Sequence, residues 1–420
     1  MPSIRYSHPR LDARFLFMQL CGWLQGKKVV ALRSDPEAAT QVLAASNTKG
    51  RFIEDLIACP AWEPVYSVES VDGPKWRSLA GRLREIMGQL QWQQRCTPLL
   101  RKHLRRLSER IDEDPSRVVD AEQISRLSAN VFFDLLFERP MSGYEEDLFF
   151  RASVEWRKEI ALKGRADADV KREFWRVLES VVRGSRFAPE AEAEAEEIKE
   201  LVSVFAQPFI LSPQINFSDI MATTFTQLRE HPDVLARARV AAEAHDVGYL
   251  TDVCQEAIRL EHPFPVLERE MTRDLQVGDL ELSRGTQVFI TLDDFAQEDE
   301  FRPERWRDGR DNPYRALPFG AGPRVCLGKA LAQEMLGEML QGLLTQIPLD
   351  RLQPSRNHLY SGRDNDGEET WAEYFYQARV FASVLRRSFR IGQARSECPF
   401  PHHLLPKLST SPERAHEPAN

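Results

Sequence analysis

From about residue 85 to 211, apolar residues recur at helical spacing with charged positions between them, which predicts a series of amphipathic helices. The opening segment is also helical in pattern until Val29-Val30-Ala31-Leu32, which reads as a short strand. Ser34-Asp35-Pro36-Glu37 then supplies a capping residue, a first-turn proline and an acid, the signature of a helix start. Between 50 and 74 no period persists. Gly50, Pro60, Pro64 and Gly73 punctuate large apolar residues there, and a loop with one helical turn is expected. Asp72-Gly73-Pro74-Lys75-Trp76-Arg77 opens the next helix. Helical spacing returns over Asp252–Leu260, and Val277–Leu282 and Thr286–Ile290 read as two strands around a turn at Arg284-Gly285. A helix then runs to about Thr345, and His358–Gly362 and Phe389–Gly392 read as closing strands. The class is mainly α with a minor β region.

Length changes this picture little: 420 residues allow two domains or one large composite domain. Charge excludes more. A formal net charge of -8 without a basic stripe argues against a nucleic-acid partner. The most apolar N-terminal run, Phe15 to Leu24, is about half a membrane span, so neither a membrane anchor nor a secretory leader is expected. Cys21, Cys59, Cys96, Cys254, Cys326 and Cys398 are scattered without CxxC pairs, which points away from zinc and disulfides and toward a reducing, cytoplasmic setting. The acidic run Glu190–Glu197 is expected as a solvated helix start after Pro189. No His or Cys joins its carboxylates, so it is not read as a metal site.

The candidate chemistry lies in Phe319-Gly320-Ala321-Gly322-Pro323-Arg324-Val325-Cys326-Leu327-Gly328. Glycines and a proline make a tight loop that can approach a flat group closely. A helical pattern begins directly after it, so a thiolate at Cys326 would sit near a helix N-terminus, where the dipole favours negative charge. Arg324 supplies a fixed cation for a cofactor carboxylate.

This loop resembles the signature of the cytochrome P-450 family, Phe-x-x-Gly-x-Arg-x-Cys-x-Gly, which is met at Phe319, Gly322, Arg324, Cys326 and Gly328. The resemblance covers about residues 25 to 395. It implies the cytochrome P-450 fold in a single domain over 1–398, followed by a disordered tail over 399–420. It further implies heme b, with Cys326 as the iron ligand and Phe319, Gly320, Arg324 and Gly328 in contact with the cofactor. Trp76, Arg77 and Arg269 resemble the family's donors to the haem propionates; Ala80 stands where relatives often have a further arginine. Glu256 and Arg259, three apart on a helix, and Arg305 within Phe301-Arg302-Pro303-Glu304-Arg305-Trp306 resemble a buried charged triad that fixes the haem loop. His262 is expected as a hydrogen-bonded histidine, not a ligand. The link from Asp293 to Phe301 is shorter than is usual in the family.

The resemblance also places a long helix over the oxygen-binding face, ending at Leu228-Arg229-Glu230-His231-Pro232. Counting back about four turns reaches Gln214, Ile215 and Asn216, where the family has an acid followed by an alcohol. Neither Ile215 nor Asn216 is such a group, which leaves Gln214 and Asn216, with Ser212 and water, as the candidate catalytic positions. The implied activity is monooxygenation of a small or medium apolar metabolite. Peroxygenase, isomerase or dehydratase chemistry is the alternative, and a haem protein without turnover a third. Phe52, Trp62, Ile210, Phe217, Phe264 and Val266 are expected to line the substrate pocket. A ferredoxin or flavodoxin-type donor is expected to dock near Lys75, Arg82, Lys329 and Pro323. The protein is expected to be monomeric and to have no membrane partner.

Overall fold

The computed structural model describes residues 9–397 except 34, 46–47, 50–61, 115, 211, 265, 293–299, 308–311, 313, 315–317 and 355–370. Phe52, the region of Ile57, His358–Gly362, the short link after Ile290 and the tail all lie outside the described residues, and the side chains of Pro213, Gln214 and Ile215 do too.

The chain is predominantly helical. Helix α1 spans Pro9–Leu24 and is followed by strand β1 (Val29–Leu32) and helix α2 (Pro36–Ala45). The Asp35 carboxylate accepts the Ala38 N–H at 2.8 Å, so the predicted helix start is a working cap. Six helices follow: α3 (Gly73–Gln89), α4 (Trp92–Glu113), α5 (Ala121–Phe137), α6 (Gly143–Ile160), α7 (Ala168–Arg183) and α8 (Ala195–Ile210). Their ends are set locally. Asp120 accepts from Gln123 N at the start of α5, and Ser142 and Glu145 form a capping box at the start of α6. A π-helical segment, Ser212–Asp219, runs directly into α9 (Ile220–Glu230), and α10 (Pro232–Glu243) and α11 (Val247–Leu260) complete this part of the chain. The acidic run begins ahead of its helix: only its last residues enter α8, at Ala195.

The large core lies between these helices and α12 (Lys329–Gln346), with Phe133 and Phe209 packed edge to face on Phe149 and Phe174 tilted against it. Helix α12 approaches α11 closely at Gly337. A Cβ added there would lie 2.8 Å from the Val247 carbonyl oxygen, so only glycine allows this spacing without movement.

A three-stranded sheet has the order β1–β5–β2, with β5 (Gln287–Thr291) parallel to β1 and antiparallel to β2 (Val266–Glu270). The expected strand over Val277–Leu282 is instead two: β3 (Leu275–Val277) and β4 (Leu280–Leu282) form a hairpin. Gly278, at φ 55°, makes the reversal that an unbroken strand would forbid.

The second correction is larger. Phe389–Gly392 is not a strand but part of the long helix α13 (Trp371–Glu397). Glu373, Gln377, Val384 and Ser388 are buried along one stripe at helical spacing. That stripe packs against α1: Phe17 and Phe381 meet edge to face at 4.9 Å, and Gln25 Nε2 donates to Ser388 Oγ at 3.2 Å.

Gly337→Ala should lower stability by about 1–3 kcal/mol, because the methyl group meets backbone and must push α12 from α11. Chemical denaturation of wild type and variant checks this, with the urea midpoint falling at unchanged slope.

Candidate functional site

The Cys326 loop is held at several points. Gly320 and Gly322 adopt φ values of 70° and 69°. A Cβ on Gly322 would lie 2.6 Å from the Ala44 Cα, so the loop rests directly on the end of α2. Cys326 N donates to Phe319 O at 2.8 Å, and Lys329 N donates to Cys326 O at 3.2 Å as α12 begins. Gly328 caps that helix. The sulfur is therefore where the sequence puts it, at a helix N-terminus.

Cys326 is accessible, yet surrounding protein desolvates its thiol and pushes it up to about 11, against the opposing Gly328 N–H. Cys21, Cys96 and Cys254 are instead buried.

Beside this loop lie two buried guanidiniums. Arg324 donates to the carbonyls of Val71 (2.8 Å) and Val68 (3.3 Å), pairs with Asp72, and stacks 4.6 Å from the Trp76 ring. Arg269 is 5% exposed. Its Nη1 reaches the Glu268 carbonyl at 2.7 Å, while its Nε has no hydrogen-bond partner among the described residues. Burial, and then the neighbouring charge of Arg324, push the Arg269 guanidinium down to about 10. The structure thus brings Trp76, Arg269 and Arg324 to one place. Arg77 is exposed on α3 and shares none of these contacts.

Behind the loop the charged triad is complete, and it has more members than expected. Glu256 accepts from Arg259 Nη2 at 2.8 Å and Nε at 3.0 Å, and from Arg305 Nε at 2.9 Å. Trp306 Nε1 (2.9 Å) and the Arg302 N–H (3.1 Å) were not foreseen as donors. The Glu300 carbonyl accepts from both Arg259 and Arg305. His262 accepts the Phe264 N–H at Nδ1 (2.9 Å), so Nε2 carries the proton toward the Pro318 carbonyl at 3.2 Å. It is a brace between the end of α11 and the loop.

On the opposite side, Asn216 lies half-buried within the π-helical segment, with Gln214 two residues earlier. Thr223 and Thr224, farther on, already donate to Glu261 (3.3 Å) and to the Ile220 carbonyl (2.7 Å). Sequence reasoning passed over Asp219, a buried acid three residues beyond Asn216. Trp62, Ile210, Phe217 and Phe264 share the large core, but Val266 packs in a separate cluster with Phe15, Val29 and Phe289.

The expected basic docking face is altered. Lys75 lies 2.6 Å from both Glu196 and Glu200, and Arg82 pairs with Glu197 at 3.4 Å. The acidic run is therefore a partner for α3 rather than a bare solvated face.

Residues 222–353 match the family model for cytochrome P450. The stretch includes the Glu256 network and the Cys326 loop. Over that stretch the chain is similar to the cytochrome P450 family. Putative cytochrome P450 137 of Mycobacterium tuberculosis is 30% identical over 133 residues, 30% of this chain and 28% of that protein. The mouse mitochondrial 1,25-dihydroxyvitamin D(3) 24-hydroxylase is 32% identical over 120 residues, covering 26% of this chain and 23% of its own length. The match thus spans about a quarter of each of these relatives. In fold the likeness is broader. The crystal structure of CYP175A1 from Thermus thermophilus superposes with a TM-score of 0.55 at 19% identity, covering 81% of this chain and 91% of that one. P450BioI, solved with a ligated acyl carrier protein, gives 0.56 at 13%, covering 82% and 94%.

A likeness to cytochrome P450 implies a haem iron, and the residues present fit one. A sulfur at a helix N-terminus suits the metal, and a buried Arg269 donor without a partner among the described residues suits a carboxylate. Arg269→Met should stabilise the haem-free protein, by removing a buried cation, and weaken haemin binding by about tenfold or more. Paired denaturation and haemin titrations should move in these opposite directions; a parallel loss in both would refute the assignment.

Proposed function

We propose that this chain is a haem-thiolate monooxygenase holding heme b through Cys326 and oxidising a small or medium apolar metabolite of specialised metabolism. The observation that carries the reading is the Cys326 loop at the start of α12, with the buried guanidiniums of Arg269 and Arg324 near one another beside it. When bound, the haem supplies a redox-active iron whose sulfur ligand pushes electron density that favours O–O cleavage. The chain's own groups supply the rest. The α12 N-terminus and the Gly328 N–H favour the anionic sulfur. Arg269 and Arg324 neutralise the cofactor's carboxylates, and Trp76 buttresses Arg324. Trp62, Ile210, Phe217 and Phe264 offer apolar walls that favour an apolar substrate and exclude water. Electrons come from a ferredoxin or flavodoxin-type donor. A donor approaching Lys75 and Arg82 has to compete with Glu196, Glu197 and Glu200.

One observation favours a second reading. Asn216 is neither acid nor alcohol, and the nearby threonine hydroxyls are committed elsewhere. A chain without the usual proton relay suits peroxide, or a rearrangement or dehydration, better than dioxygen.

The reduced, CO-treated holoprotein should show the thiolate-type absorbance, and Cys326→Ser should abolish it. Product should form with NAD(P)H and surrogate donors, and Asn216→Thr should raise the product formed per NAD(P)H consumed. Turnover with hydrogen peroxide alone, and none with NAD(P)H, selects the second reading.

A further inference from the structure

Most of the exposed large apolar side chains among the described residues lie on two neighbouring helices. They are Leu16, Leu20 and Trp23 on α1, and Trp371, Tyr374, Phe375, Leu385 and Phe389 on α13. Their placement is ordered. At about 100° per residue, the five on α13 fall within roughly 60° of one another's mean line, and the exposed Ala378 and Ala382 lie between them. The buried stripe of Glu373, Gln377, Val384 and Ser388 lies about 120° around the helix from that line, against α1. This helix is therefore apolar toward solvent, the reverse of an ordinary surface helix. On α1, Leu16, Leu20 and Trp23 repeat at i, i+4 and i+7, again on the exposed side.

The flank of the α13 face identifies what covers it. Arg379, Arg386 and Arg390 are exposed, and all fall on one edge of the apolar stripe, about 60–100° from Trp371. No ion pair to these three is found among the described residues; Arg386 Nε turns back to the Ala382 carbonyl. Aromatic and leucine side chains bordered by arginines along about 27 Å of helix (1.5 Å per residue) match a lipid surface with anionic headgroups. A second copy of this chain fits less well. Two such helices packed antiparallel bring like edges together, setting arginines against arginines without acids between them.

We propose that α1 and α13 together form a docking face for an anionic lipid bilayer, with the aromatic stripe entering the interface and Arg379, Arg386 and Arg390 meeting the headgroups. The helices lie on the surface and do not cross it; no helix among the described residues is long and apolar enough to span. The proposal does not depend on the haem reading.

The full-length protein would be spun with vesicles of phosphatidylglycerol and phosphatidylcholine in equal parts, and with phosphatidylcholine alone. Co-sedimentation is expected with the first, salt-sensitive and accompanied by a blue shift of tryptophan emission. The Phe375→Ser/Phe389→Ser variant should bind about tenfold more weakly or worse. Replacing Arg379, Arg386 and Arg390 by Gln should weaken binding to the anionic vesicles on the order of a hundredfold. These side chains are exposed, so circular dichroism should be unchanged in both variants. Absence of sedimentation with anionic vesicles overturns the proposal, as does equal binding by the arginine variant. A concentration-dependent dimer in ultracentrifugation that Phe389→Ser dissolves, without vesicle binding, assigns the face to a second copy and equally overturns it.

Discussion

The Glu256 carboxylate holds the proximal half of this molecule together. Its two oxygens take donors from Arg259 on its own helix and from Arg302, Arg305 and Trp306 in the segment leading toward the Cys326 loop. Both guanidiniums also reach the Glu300 carbonyl, so one fully buried anion organises two cations and a backbone corner. Such an arrangement costs desolvation, and it persists because nearly every lone pair and proton finds a partner. What it secures is position. Helix α11 and the loop are fixed to one another, and His262 adds a second tie through Pro318.

From that corner the site can be followed outward. The loop rests on α2 at Gly322 and meets α3 through Arg324, Asp72 and Trp76. Cys326 is therefore located by elements drawn from both ends of the chain. The cluster of Arg324, Arg269 and Trp76 is assembled the same way: Arg324 comes from the loop, Arg269 from β2, and Trp76 from α3.

Much of this was legible in the sequence because it is local. The loop glycines, Cys326 and the helix behind it lie within one short stretch, and Asp35-Pro36 announces α2 through capping chemistry alone. Glu256 and Arg259 are one turn apart. The misread parts need information at other scales. Phe389–Gly392 is apolar enough to pass for a strand in a four-residue window. The helical stripe from Glu373 to Ser388 appears only over several turns and gains its meaning from packing on α1. Gly278 splits an apparent strand through one backbone angle. Lys75 and Arg82 looked free because their acids lie more than a hundred residues away. Val266 faces the α1 cluster for a similar reason: the strand's alternation does not say which layer covers which side.

The parallel pairing of β1 with β5 joins Val29 to Gln287, and α1 is covered by the sheet and by α13, the last described helix. Helix α1 and strand β1 therefore meet these partners only across most of the described chain. Loop closure over such separations is slow, and the early apolar segment stays open to wrong pairings meanwhile.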